Sequence, residues 1–186
     1  MHMQQSENQI ILEPFKSRAF EQMLKWIDSE KELIQFAGHL FTLPITESQV
    51  LNYLNNSKRQ VYRVIFEGTV IGQAEIYLED SLNTRLCRIL IGNKTYRRQG
   101  IGTLLVNELL RISFQELKVN RVSLKVFDWN VSAIKCFEKA GMKLNKNLES
   151  YFNYKNENWK TINMSILRHE WEDSKIESKI NLNKTY

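Results

Sequence analysis

The spacing of apolar residues changes several times along the chain, and each change marks an element. Residues 9–14 read as a first strand, ended by Pro14. Ser17 can cap a helix over residues 17–27, with Phe20, Met23, Leu24 and Ile27 on one face. Ser29 with Glu32, and Thr46 with Gln49, are capping-box pairs. They predict two short helices, one carrying Leu33 and Phe36, the other Val50, Leu51 and Leu54. Between these lies a loop from Gly38 to Pro44 that contains His39 and Phe41. Residues 60–66 and 69–78 are strands joined at Glu67-Gly68, a hairpin signal.

A polar turn over 79–84 leads to a short apolar strand over 85–91. Beyond it, Ile101, Leu104, Leu105, Leu109 and Ile112 recur at helical spacing. Residues 122–127 alternate as a strand, and a helix follows that Asn130 can cap and Gly141 can end. Residues 143–152 read as an irregular strand, Tyr154 to Asn158 as a turn and 159–167 as the last strand. The pattern predicts an α+β domain over residues 9–171, with a mixed, largely antiparallel sheet flanked by helices. Residues 172–186 are polar and read as a C-terminal tail, a short helix or a frayed end.

The junction of strand and helix at residues 91–103 carries the chemistry. Arg97-Arg98-Gln99-Gly100-Ile101-Gly102-Thr103 is a glycine-containing turn opening a helix. The first N–H groups of a helix have no partner inside it and sit at its positive end, where phosphates bind. Arg97 and Arg98 add positive charge there. Taken alone, two glycines in such a turn are better explained by tight turning. Other phosphate loops do not fit. Gly102 is followed by Thr103 and Leu104 rather than Lys-Ser/Thr, and Thr103 to Val106 supply no third glycine.

A second segment, one helix and one strand later, reads Asn130…Ala133…Phe137…Gly141-Met142. Together the two segments resemble the GNAT superfamily of N-acetyltransferases. Arg97 to Gly102 matches the family loop Q/R-x-x-G-x-G/A. The second segment is similar to N-x-x-A-x-x-x-Y-x-x-x-G-F, with Phe137 for Tyr and Met142 for Phe. The close match runs from Arg88 to Met142. The resemblance implies a single GNAT-like domain whose two central parallel strands splay apart, with acetyl-CoA as acetyl donor. It assigns the pyrophosphate to Arg97, Arg98, Gln99, Gly100, Ile101, Gly102 and Thr103. The pantetheine arm would run along Leu90, Ile91 and Gly92 in the gap, with Asn130 and Phe137 beside it. A parted strand pair leaves N–H and C=O groups that need partners, which suits this placement.

Composition narrows the class further. A chain of 186 residues, 42% hydrophobic and 25% charged, is ordinary for one globular domain. No apolar run is long enough to span a membrane, and the first eight residues are polar, so neither a membrane anchor nor a signal peptide is expected. Met1, His2 and Met3 carry no sign of whether they are native. Cys87 and Cys136 are expected to be reduced thiols in a cytoplasmic protein. His2, His39 and His169 are far apart, and no metal site is expected. The net charge of +5 contains no compact basic run with interleaved aromatics, so nucleic acid is not an expected partner.

Acetyl transfer to an amine needs a held donor, a deprotonated amine, a hydrogen-bond donor for the developing oxyanion and a proton for the leaving thiolate. The family resemblance points to a backbone N–H near Ile91 as oxyanion donor. Phe137 stands where the family often has Tyr and cannot give a proton, which leaves Tyr151 and Tyr154. The strand before the loop has no carboxylate, whereas Gln73-Ala74-Glu75-Ile76-Tyr77 places one on its neighbour. Glu75 is the first candidate base, against a plain solvent-facing strand residue; His39 is the second. The expected function is acetyl transfer from acetyl-CoA to a primary amine: a protein N-terminus, a polyamine or another small amine. The helices around Trp26 resemble the branch with ribosomal-protein N-terminal and polyamine acetyltransferases. A non-catalytic acyl-CoA-binding or sensing module is the alternative. The expected state is monomer or homodimer.

Overall fold

A computed structural model describes residues 9–16, 20–146 and 148–183. The predicted cap Ser17 and residues 1–3 lie outside them. The turn at Glu67-Gly68, both with positive φ, closes the hairpin of β2 (Arg59–Phe66) and β3 (Thr69–Leu78). β1 (Ile11–Pro14) pairs antiparallel with β2, and β4 (Asn83–Ile91) with β3. β5 (Arg121–Phe127) lies parallel to β4, and β8 (Glu157–Leu167) antiparallel to β5. The single irregular strand expected over 143–152 is two pieces on the far edge of β8: β6 (Lys143–Leu144) and β7 (Ser150–Tyr154). Between them Asn145 turns inward, its amide donating to the Ser165 hydroxyl at 3.0 Å.

Helices cover both faces. On one face lie α4 (Ile101–Arg111), extended by a π-type turn at Ile112–Glu116, and α5 (Val131–Lys139). Leu105 and Leu109 of α4 meet Val64, Ile71, Ala74 and Ile76 of the sheet in the main core. Leu104, expected on this face, is 40% exposed; the buried arc of α4 is centred on Leu105, Val106, Leu109 and Leu110 instead. The other face carries α1 (Phe20–Leu24), α2 (Glu30–Ala37) and α3 (Glu47–Leu54). There Leu33, Ala37, Val50 and Tyr53 pack with Val61 in a second core. Ser29 and Thr46 cap α2 and α3 as expected. Only half of each capping box forms: Glu32 accepts from the Asp28 N–H, and the Gln49 amide clamps Thr42 and Pro44.

The C-terminal segment is a helix, α6 (Arg168–Asn183), which crosses residue 171. Its first turn is tied down. The Arg168 guanidinium donates to the carbonyls of Phe114 (2.8 Å) and Val119 (2.6 Å), and buried Trp171 lies against Phe114 with ring centroids 5.3 Å apart. Among the described residues, no helix is long and apolar enough to cross a membrane.

One irregularity shapes the rest. β4 and β5 pair only from Asn83↔Arg121 to Leu86↔Leu124, although β4 runs on to Ile91 and β5 to Phe127. On the other side of β4, Gln73 faces Leu90 and Glu75 faces Cys87, so Arg88 and Ile89 together oppose Ala74. This is a β-bulge. Arg88 sits in it with φ of +47°, a left-handed conformation that costs a non-glycine residue about 1–3 kcal/mol. Its guanidinium makes a two-point bond to Glu75, with Nε and Nη2 each 2.5 Å from a carboxylate oxygen. Glu75 is wholly buried and also accepts from Arg59 (2.8 Å) and the Tyr53 hydroxyl.

Removing Glu75 leaves two guanidiniums without their counter-charge in the interior. Glu75→Ala is expected to lower the stability to urea by about 3–5 kcal/mol. Glu75→Gln should lose less than Glu75→Ala, because it retains hydrogen-bond acceptance. Equal and small losses in both variants would contradict the clamp.

Candidate active site

The gap between β4 and β5 opens into a cleft of about 520 Å³ that runs over the start of α4. The turn before α4 is built by local bonds. Asn93 accepts from the Thr95 N–H, the Gln99 amide closes on the Thr95 carbonyl at 2.7 Å, and Arg98 and Gly100 take positive φ. In consequence the backbone N–H groups from Arg98 to Gly102 bond to no acceptor among the described residues; the first that does is Thr103, to the Gly100 carbonyl at 2.9 Å. A run of free N–H groups at a positive helix end is an anion cradle.

The cleft is lined by Leu90, Ile91, Arg97, Arg98, Gly100, Gly102, Thr103, Asn130 and Phe137 of the expected cofactor set. The Gln99 and Ile101 side chains are turned away, one in the turn and one in the core, which leaves them their backbone N–H groups. Gly92 lies under the Trp26 ring; a Cβ there would come within 2.0 Å of it. Arg97 also has a structural task. Its Nε donates to the Ile91 carbonyl at 2.7 Å, capping one of the groups that the parted strand exposes. Asn130 caps α5 through its Oδ1, which accepts from the Ala133 N–H and the Ser132 hydroxyl. Phe137 is both core and wall: it is buried in the main cluster and lines the cleft.

The sequence reading missed two contributions. Trp26, in the turn after α1, and Gln35 and Phe36 of α2 form the opposite wall. Lys135 and Lys139 of α5 also line the cleft, with Ser132 on the same face. The spacing of 132, 135 and 139 is a polar stripe at helical period, and that signal was present in the sequence. Cys136 lies beside the helix start, its Sγ 3.6 Å from the Thr103 hydroxyl.

A second cavity, of about 460 Å³, adjoins the first on the side of α2 and β7. Gln35, Phe36, Ile89, Asn130, Ala133 and Phe137 line both. Arg85, Cys87, Arg88 and Lys125 line it from the sheet, and Tyr151 and Phe152 from β7. Tyr151, an expected catalytic residue, is 67% exposed at its mouth. Tyr154 is turned elsewhere, its hydroxyl donating to Glu30 at 3.2 Å. His39 is exposed and stacks on Phe152 with centroids 4.4 Å apart. Glu75, the other expected catalytic residue, lines neither cavity. It lies beneath the second one with both carboxylate oxygens taken up by Arg59, Arg88 and Tyr53. Burial, then the charge of Glu75, push the Tyr53 phenol well above its ordinary value, so it stays a donor. Burial pushes the Cys87 thiol up to about 11, and the Cys136 thiol upward as well. Neither is a thiolate at neutral pH.

The acetyltransferase (GNAT) family matches residues 20–142, and the chain belongs to that family. Solved structures with the same fold include a spermidine N-acetyltransferase from Vibrio cholerae in complex with CoA and spermine. It is 15% identical, with a TM-score of 0.73, over 88% of this chain and 98% of that one. The aminoglycoside acetyltransferase AAC(6')-Ib, in complex with coenzyme A and kanamycin, is 20% identical with a TM-score of 0.71, over 89% and 99%. A GNAT-family acetyltransferase from Bacillus anthracis is 19% identical with a TM-score of 0.67, over 87% and 96%.

Two substitutions test the cleft by calorimetry with coenzyme A. A Cβ at Gly102 would already lie 3.2 Å from Cys136 Sγ, so Gly102→Val fills the cradle from within. It should reduce affinity by more than about ten-fold, the loss of at least one charge-assisted bond. Lys139→Ala should weaken binding by roughly ten-fold and flatten its salt dependence. Unchanged affinity in both folded variants would remove the cleft as the cofactor site.

Proposed function

We propose that this member of the acetyltransferase (GNAT) family is an acetyl-CoA-dependent N-acetyltransferase that acts on a primary amine. The observation that carries the reading is the run of free N–H groups from Arg98 to Gly102, opening onto the parted strands and a second cavity. The residues suit the cofactor. The N–H run and Arg98 fit a pyrophosphate, and Lys135 and Lys139 suit further phosphate charge. The strand edge past Leu86 suits an amide-bearing arm. Bound acetyl-CoA supplies an acetyl thioester, whose C–S bond is exchanged for a C–N bond while one proton leaves the amine and one reaches the thiol.

The residues around the junction of the cavities divide the remaining work. Phe137, Ile89 and Phe36 line the junction with apolar surface and exclude water from it. The backbone N–H groups of β4 near Ile91 suit the oxyanion. In this reading Tyr151 is the proton donor to the thiolate, and Glu75 is a positioning residue that holds the bulge. The polyamine and aminoglycoside acceptors named for the structural neighbours support an amine as acceptor. A cytoplasmic site of action belongs to the same reading, supported by two free cysteines.

The test is free-thiol release from acetyl-CoA with a panel of amines. Tyr151→Phe should slow the chemical step by about 10²–10⁴-fold and leave coenzyme A affinity unchanged. Tight coenzyme A binding with no thiol release from any amine would instead support a non-catalytic acyl-CoA-binding module. That no carboxylate among the described residues lines the second cavity favours that second reading.

A further inference from the structure

The second cavity has a charge pattern that its position alone does not require. Among the described residues its ionisable lining is Arg85, Arg88 and Lys125, with Cys87 and Tyr151, and no aspartate or glutamate. The carboxylates beneath only partly compensate. Arg85 pairs with Glu79. Arg88 and Arg59 share the single carboxylate of Glu75, which leaves one positive charge in excess. Lys125 is exposed on the cavity side of β5 and has no carboxylate within salt-bridge range among the described residues. Its bond is to the Ser150 hydroxyl, at 3.5 Å. At the rim, Lys160 and Glu149 pair with each other.

We propose that the acceptor is a small primary amine that also bears an anionic group, a carboxylate or a phosphate, and that polycations are rejected. This rests on the acetyl-transfer reading above and names the acceptor class for it. A cavity of about 460 Å³ suits a small molecule. The Lys125 ammonium and the Arg88 guanidinium on the cavity wall receive the anion, with the excess positive charge of the Arg59–Arg88–Glu75 cluster beneath them. Phe127, Phe152 and Ala37 supply apolar wall for the body of the acceptor. The same field favours the neutral amine over its ammonium form, because a nearby like charge disfavours the charged species. A protein base is then not needed, in a cavity whose lining among the described residues has neither carboxylate nor histidine. A polyamine or aminoglycoside brings two or more ammonium groups into this field and finds no carboxylate to meet them.

The experiment compares matched acceptors in the thiol-release assay: phenylalanine against phenethylamine, phosphoethanolamine against ethanolamine, and both pairs against spermidine and kanamycin. One anionic member is expected to exceed its neutral partner and both polycations by roughly ten-fold or more in kcat/KM, with KM rising with salt. The two pairs distinguish carboxylate from phosphate. Lys125→Glu, at an exposed position, should erase that preference and leave coenzyme A affinity unchanged. Spermidine or kanamycin turned over as well as or better than every anionic amine would overturn the inference alone. If no amine releases thiol, calorimetric titration into protein saturated with coenzyme A decides. Binding of an anionic amine without spermidine supports the cavity's selectivity and overturns acetyl transfer. Binding of neither overturns both.

Discussion

The bond between Arg88 and Glu75 is the constraint on which the rest of the site depends. A strand that kept regular pairing through Arg88 would continue alongside β5, and the gap would not exist. The left-handed turn at Arg88 redirects β4 just after its last pair with β5, Leu86↔Leu124. Such a conformation persists only where the surroundings over-determine it. Here a two-point guanidinium–carboxylate bond, a second arginine and the Tyr53 phenol hold it from the α3 side. The arrangement is a poor source of net stability, since desolvation of three charges offsets most of the attraction. Its value is specificity of shape: the strand has one place to bend.

Opening the gap creates a second requirement, because β4 beyond Leu86 loses its neighbour. The Ile91 carbonyl is met by Arg97, while on the β3 side the Gly92 and Asn93 N–H groups go to the Ile71 carbonyl. The chain is thereby delivered to the turn at Thr95–Gly100 in a fixed orientation. Trp26 rests on Gly92 and could not do so over any side chain. The N-terminal helices thus set the far wall of the cleft and also hold the strand end down. Arg97 stands in the expected phosphate-binding loop, and its side chain also helps maintain the strand; the cations lining the cleft are Arg97, Arg98, Lys135 and Lys139.

Much of this was legible in the sequence, and the limits have physical causes. The strand–turn–helix at residues 91–103 and the capped helix after Asn130 are local features, so spacing and capping residues revealed them. Strand alternation puts Glu75 on the opposite face from Ala74 and Ile76, which lie in the main core. It could not reveal what else that face held. Arg59 comes from β2, Arg88 from a bulge and Tyr53 from α3, and their meeting depends on register and a local break in it. A carboxylate read as a candidate base is, in three dimensions, the centre of an ion cluster. The walls from Trp26, Gln35 and Phe36 were hidden for the same reason, since helix packing across a sheet leaves no mark in sequence spacing. Trp171 shows the converse: a polar stretch continues as helix because its first turn is anchored on Phe114 and Val119.

Arg88 joins two properties that would otherwise be separate. Its backbone makes the bulge that parts the strands, and its side chain lines the second cavity. Exchanging it for a neutral residue to suit a cationic acceptor would also remove the bond that holds the bulge. Placing a free carboxylate in the cavity would offer a competing partner to the same guanidinium. The charge of the cavity is therefore tied to the geometry of the gap, and it is least costly to alter from the rim, where Lys125 stands clear of the cluster. A site built this way keeps the parted strands and the first cleft fixed while the rim positions of the second cavity stay free to vary.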